Sequence, residues 1–275
     1  FENDNAEWKV KIDTGNDSAG LLARLRTLKS RGRDFYDLVI GLSHFEYQLA
    51  LKENLIENGE AFNESPMAFI ADIQNFPVSK WPTTWKEVPE KLQNTLLVQD
   101  PRSSSLGLTM LSVVFDFKWI DLNGLKKITR QIFPSWSSSY KSFLNEQSSV
   151  IWSFQTSEAY HLCNLDNKPI RYLAIPLQEG YPLHREYVAR IKSEVTVSDS
   201  EKSAVKMKEK VVGDFVTRLL SAELQKEIPL KNWMLPMNKQ VEMPKCFRDL
   251  SVIKGVLPQT SENVSGWVDQ WSLQN

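Results

Sequence analysis

Two periods of apolar and polar residues run along this chain, and the changes between them mark out its elements. Trp8 to Ile12 alternates with the two-residue period of a strand. Asp17 and Ser18 then open a helix whose Leu21, Leu22, Leu25 and Leu28 line one face as far as Gly32. Asp37 to Gly41 reads as a short buried strand, Ser43 to Leu55 as a helix, Glu57 to Pro66 as a polar irregular stretch and Met67 to Ile73 as a strand. Strand, helix and strand at such close spacing predict a parallel sheet. The segment from Pro77 to Pro89, with Trp81, Pro82 and Trp85, is a loop that leads into a helix over Trp85 to Leu92.

The apolar runs Thr95 to Val98 and Leu108 to Phe115 flank Gln99-Asp-Pro-Arg-Ser-Ser-Ser-Leu-Gly-Leu108, which reads as strand, tight turn and helix. Further helices are predicted around Gly124 to Ile132 and from Ser137 to Leu144, then a strand over Val150 to Phe154 and a helix start at Thr156-Ser157. Tyr172 to Leu177 and Tyr187 to Ile191 are strands. Ser198-Asp-Ser-Glu201 is a capping box, and Val212, Phe215, Val216, Leu219 and Leu220 form a helical stripe behind it. Ser221 begins a short helix that ends at Ile228-Pro229, and a last helix carries Val264, Trp267, Val268 and Trp271 on one face. The alternation of elements gives an α/β fold class.

With 275 residues the chain can build one large domain or two smaller ones. The 33 basic and 34 acidic residues are dispersed and nearly cancel, which leaves no basic patch for nucleic acid. No apolar stretch approaches the roughly 20 residues of a membrane-spanning helix. Cys163 and Cys246 can pair or stay free; no CxxC spacing supports a zinc or thioredoxin-type motif, and they read as buried apolar fillers. The aromatic load changes the picture more, because nine Trp are present and several sit beside polar turns. Trp offers a flat face and one N–H, which suits a ligand-lining residue as well as a core residue.

The opening turn supplies candidate chemistry. Pro101 fixes φ and cannot extend the strand, while Ser103, Ser104 and Ser105 are helix caps whose helix start carries partial positive charge. A phosphate or carboxylate could approach such a backbone closely. By contrast GxGxxG, Walker A, HExxH and GxSxG are all lacking, and His44, His161 and His184 are far apart in sequence and read as structural or surface residues. The positive pattern is an aromatic residue next to a polar turn. Trp136 precedes three serines, Phe154 precedes Thr156-Ser157 with Tyr160 one turn later, and Trp233 lies in Lys231-Asn-Trp-Met-Leu-Pro236. In an open α/β sheet, ligands bind where strand carboxyl ends meet helix starts. A planar, cationic ring with a hydroxyl or phosphate tail would suit these faces.

Val98-Gln-Asp-Pro-Arg-Ser-Ser-Ser-Leu-Gly-Leu108, Ser135-Trp-Ser-Ser-Ser-Tyr-Lys-Ser-Phe-Leu144, Gln155-Thr-Ser-Glu-Ala-Tyr-His161 and Lys231-Asn-Trp-Met-Leu-Pro236 closely resemble the periplasmic thiamine-binding proteins, the substrate-binding subunits of thiamine ABC importers. The similarity runs in order along the chain and includes Asp17-Ser18 ahead of Leu21-Leu-Ala-Arg-Leu25. The resemblance implies a type II periplasmic-binding-protein fold, two α/β lobes with a ligand cleft between them, here residues 1–65 plus 172–275 and residues 66–171. It implies a monomeric, extracytoplasmic, non-catalytic protein without a cofactor that captures thiamine or its mono- or diphosphate for an ABC transporter permease. Carried over by position, Trp136, Tyr160 and Trp233 contact the ring, Ser103 and Ser104 a hydroxyl or phosphate, and Asp17 with Ser18 add polar contacts. Phe154 stands where the family has Tyr, and Ser18 replaces a Gly. The family also has a strand and loop ahead of the segment matching Phe1 and a longer stretch matching Glu57 to Pro66, so incomplete sequence is expected. The rivals are a thiamine-cleaving transferase, which needs a Cys nucleophile with an acidic base, and an iron- or polyamine-binding relative.

Overall fold

The computed structural model describes residues 1–3, 5–14, 17–32, 36–165, 169–192, 202–259 and 263–273. In chain order its elements are α1 (Ser18–Ser30), β1 (Leu38–Ser43), α2 (His44–Lys52), β2 (Glu60–Asp72), α3 (Val88–Lys91), β3 (Leu96–Gln99), α4 (Ser105–Phe115), α5 (Leu122–Ile128), β4 (Thr129–Phe133), α6 (Trp136–Leu144), β5 (Val150–Phe154) and α7 (Thr156–Cys163). There follow β6 (Tyr172–Ala174), β7 (Tyr181–Arg190), α8 (Lys202–Leu219), α9 (Ala222–Gln225), α10 (Ile228–Lys231), β8 (Leu235–Pro236), α11 (Lys245–Arg248), β9 (Gly255–Val256) and α12 (Val264–Ser272).

The chain forms two compact units, residues 1–63, 185–231 and 236–242 in the first and residues 64–184, 232–235 and 243–275 in the second. It passes from first to second within β2 and returns within β7. These units divide the chain differently from the expected lobes, which placed all of 172–275 with the N-terminal part. The C-terminal segment belongs to the second unit because side chains distant in sequence hold it there. Glu158 accepts hydrogen bonds from the Ser251 amide at 3.1 Å and hydroxyl at 3.0 Å, and Trp267 of α12 stacks on Phe115 of α4 at 5.6 Å. No sequence period reports such attachments.

In the first unit Asp17 caps α1 by accepting from the Gly20 amide at 3.1 Å. Leu22 and Leu25 of that helix are buried with Val39, Leu42, Tyr47, Ala50 and Tyr187. Tyr47 and Tyr187 stack at 4.0 Å. β1 pairs antiparallel with β7 from Leu38↔Arg190 to Ser43↔Glu186, and Gly41, at φ +95°, sits at the register shift between Ile40 and Leu42. Such a bulge needs a left-handed residue, which glycine supplies without strain. The expected strand over Trp8 to Ile12 does not form: these residues pair with no strand among the described residues, and Ile12 is 82% exposed. The parallel pair predicted from it is therefore replaced by the antiparallel β1–β7 ladder. Val212, Phe215, Val216 and Leu219 share one face of α8 and are partly buried. The predicted capping box at Ser198 to Glu201 lies outside the described residues.

In the second unit β2 pairs antiparallel with β5 and β6, while β3 runs parallel to both β5 and β4. The helix expected over Gly124 to Ile132 stops at Ile128, and Thr129–Phe133 forms β4. Five residues with mixed burial are too few for periodicity to separate the two states. Likewise, the stretch read as irregular up to Pro66 is strand from Glu60 onward, with Asn63 and Ser65 fully buried. Here pairing overrides local propensity. The core of this unit is aromatic: Phe69, Trp85, Trp152 and Tyr181 lie within 5.2 to 6.4 Å of one another. Their polar ends are satisfied, with Trp85 Nε1 donating to Gly180 O at 2.8 Å and Trp152 Nε1 to Leu106 O at 3.1 Å. Burying each such ring contributes about 2–3 kcal/mol. These tryptophans are core residues.

Candidate functional site

β3, β5 and β4 point the same way, so the turns that follow them lie at one edge of the second unit's sheet. After β3 the backbone turns through Asp100 to Ser104. Gly107 lets α4 lie directly on that turn, since a Cβ there would come within 2.6 Å of Gln99 O and Pro101 N. Asp100 is gripped by the Arg102 guanidinium, whose hydrogen bonds hold the carboxyl below the usual carboxylate range. Ser103 is exposed and donates to Pro134 O at 2.8 Å. Ser104 is the cap residue of α4 and is buried, but its hydroxyl makes no capping bond. Leu108 is the first amide bonded within the helix, to Ser104 O at 3.1 Å, so the amides of Ser105, Leu106 and Gly107 precede the ladder.

After β4, Ser135 caps α6 and places Trp136 at the first helical position. The indole is fixed on both sides. Its Nε1 donates to Ser153 Oγ at 2.8 Å, and Ser153 in turn shares a 2.8 Å hydrogen bond with Ser157. One face stacks on Tyr140 at 4.8 Å, and Phe154 lies 6.2 Å away at the end of β5. Behind Trp136, Tyr140 shares a 2.7 Å hydrogen bond with His161 Nε2, and the His161 ring packs against Tyr172 at 4.3 Å. Burial pushes the His161 pKa down to about 4 and the Tyr140 hydroxyl upward, so both are neutral at ordinary pH.

Tyr160 lies on α7, is 43% exposed, and meets Trp233 edge to face at 5.0 Å. Trp233 stacks in turn on Phe247 of α11 at 6.3 Å with rings 11° from parallel. Its own backbone is left-handed, at φ +54°. For a bulky residue this costs about 1–3 kcal/mol, and such outliers concentrate at functional sites. Cys163 at the end of α7 is joined to Cys246 in α11, with Cα atoms 5.2 Å apart. The two cysteines, which by sequence could pair or stay free, form one disulfide across 83 residues of chain, and this corrects their reading as apolar fillers.

The predicted residues of the second unit therefore fall into a serine turn and two aromatic pairs, Trp136 with Phe154 and Tyr160 with Trp233. Tyr140 and His161 connect the pairs and were missed as site residues. Phe247 was missed for want of any local signal. Asp17 and Ser18 belong to the first unit, where Asp17 caps α1 and Ser18 accepts the Ser43 amide at 2.6 Å. An open hollow of about 290 Å³ beside the serine turn is lined by Asp100, Arg102, Phe133, Pro134 and Trp271, and contains none of the four predicted rings. Among the described residues no group of three or more His, Cys, Asp or Glu side chains is placed to hold a metal.

The chain is 28% identical over 298 aligned residues to the thiamine-binding periplasmic protein of Escherichia coli, spanning 98% of this chain and 85% of the relative. Among solved structures it superposes on a periplasmic thiamin binding protein with a TM-score of 0.76 and 26% identity, covering 99% of this chain and 89% of that one. It is similar along nearly its whole length to the periplasmic thiamine-binding proteins. The fold is that of the type II periplasmic binding proteins, which it shares with a ferric binding protein from Campylobacter jejuni at a TM-score of 0.68 and 13% identity over 99% of this chain and 91% of that one. At that identity the likeness concerns fold alone. No family model matches the chain. Among the described residues no helix is long and apolar enough to cross a membrane.

Proposed function

We propose that this protein is an extracytoplasmic solute-binding protein that captures thiamine or a thiamine phosphate and hands it to an ABC transporter permease. The observation that carries the reading is the pair of aromatic sets at the strand-to-helix edge of the second unit, on a chain similar along nearly its whole length to thiamine-binding proteins. Flat faces at Trp136, Phe154, Tyr160 and Trp233 suit a planar cationic ring. Ser104, with its uncommitted hydroxyl at the start of α4, suits the hydroxyl or phosphate tail. Ser103, Asp17 and Ser18 are further polar contacts in this reading. The protein acts as a monomer and without a covalent step. Both sulfurs are tied in the Cys163–Cys246 disulfide, which removes the thiolate a cleaving transferase requires. A disulfide also fits an oxidising compartment.

The test is a tryptophan-fluorescence titration with thiamine, its monophosphate and its diphosphate, with spermidine and ferric citrate as controls. Saturable quenching by the thiamine series is expected, weakened about tenfold or more, or 1.4 kcal/mol, in Trp136→Ala and Trp233→Ala. The ranking of the three compounds shows whether Ser104 reads a phosphate. A response to spermidine or ferric citrate alone would replace this reading by one of the rival ligand classes.

A further inference from the structure

Trp233 is held in a conformation that its own segment does not favour. Its backbone is left-handed, and the short stretch around it, Asn232 to Leu235, lies between α10 and a strand of two residues. The ring is placed instead by two neighbours, the Tyr160 edge at 5.0 Å and the Phe247 face at 6.3 Å. Tyr160 stands three residues before Cys163, one turn back along α7. Phe247 is buried and adjoins Cys246, in a helix of a single turn. A lone turn has little stability of its own. The bond between Cys163 and Cys246 therefore joins the two segments that carry the rings on either side of Trp233.

We infer that the Cys163–Cys246 disulfide, acting through Phe247, is a positioning device for the Tyr160–Trp233 pair, and that thiamine affinity depends on it. The bond does not touch the ligand. It fixes α11 against α7, α11 presents Phe247, and Phe247 holds the Trp233 ring at right angles to Tyr160. Breaking the bond in the folded protein leaves Trp233 free to relax its strained backbone and turn its face. Ligand affinity then falls because a preformed ring site must be ordered at the moment of binding. The ligand half of this inference rests on the function proposed above; the placement half does not.

The experiment compares the oxidised protein with the protein reduced by dithiothreitol and with the Cys163→Ser/Cys246→Ser variant, each well below its melting temperature. Thiamine affinity is measured by calorimetry and the tryptophan environment by near-ultraviolet circular dichroism. Affinity is expected to fall about tenfold with native far-ultraviolet signal retained, and the near-ultraviolet change to vanish in a Trp233→Phe background. A cycle with Trp233→Ala sharpens this: removing the bond in that background should cost less than about twofold, because coupled residues are non-additive. Phe247→Leu keeps both cysteines and an apolar filler but loses the flat partner, and should weaken binding by several-fold; it serves as the test if the double serine variant does not fold. Unchanged affinity in the folded reduced protein, or equal losses with and without Trp233, would overturn the inference. If the oxidised parent does not bind thiamine, the proposed function fails and the ligand half with it. The near-ultraviolet signal still decides whether the bond places Trp233.

Discussion

The two aromatic pairs of the second unit are built by different means. Trp136 and Phe154 stand on regular elements, the first turn of α6 and the last residue of β5, and the indole is anchored by a direct hydrogen bond to Ser153. Tyr160 and Trp233 come together from segments 73 residues apart, through a left-handed backbone and a cross-link. The first pair inherits its geometry from secondary structure. The second is imposed by tertiary and covalent constraint, at a cost in backbone strain. The lesson is that rings which look alike in sequence can differ in what must be intact for them to hold position.

The largest expected effect tests the second kind of support. Removing the disulfide frees a loop of 83 residues in the unfolded chain, which should lower stability by about 2–5 kcal/mol. For units of this size that corresponds to a melting temperature lower by roughly 5–15 °C. Scanning calorimetry of the Cys163→Ser/Cys246→Ser variant reads it directly, and a shift of a degree or less would show that α11 is held by packing alone. The pairs would then differ less than the structure indicates.

A smaller effect tests the first kind. Ser153→Ala removes the acceptor of the Trp136 indole and a partner of Ser157, and should cost about 1–2 kcal/mol in denaturant unfolding. Thiamine binding should weaken in this variant and to a similar degree in Trp136→Phe, which keeps a ring but loses the donor. If Trp136→Phe binds as tightly as the parent, the hydrogen bond is structural and has no part in presenting the ring.

This contrast also sets what could be read from the sequence. The serine turn, the helix that ends at Leu144 and the strand over Val150 to Phe154 follow from local rules, and the structure has each of them. Phe154 was therefore legible as the neighbour of a strand end, and Trp136 only as an aromatic beside a polar turn. Trp85 and Trp152 carry no local signal that separates them from ligand-facing tryptophans, yet both are fully buried in the core. Nor does any spacing announce that Cys246 meets Cys163 or that Phe247 meets Trp233, because those contacts depend on how the C-terminal segment returns to the second unit. Strand β4 and the polar start of β2 were lost for the same reason. Their state is decided by partners, not by their own residues.

The smallest effect concerns the link between the pairs. His161 bonds Tyr140 under Trp136 and adjoins Tyr160, so its charge state bears on both. Its pKa in the folded protein is about 4, below the ordinary value of 6.5, because burial disfavours the imidazolium. Between those two values the unfolded chain binds a proton that the folded chain does not, so stability falls as pH drops through that window and the loss is complete below about pH 4. Other groups titrate there as well, and the difference between the parent and His161→Gln isolates this one. The parent should lose stability more steeply than the variant from pH 6.5 to 4, by on the order of 1 kcal/mol after allowance for partial exposure. Parallel pH profiles of the two proteins would mean that His161 can take up its proton in place, and the Tyr140–His161 contact would then be a loose joint between two independently held pairs.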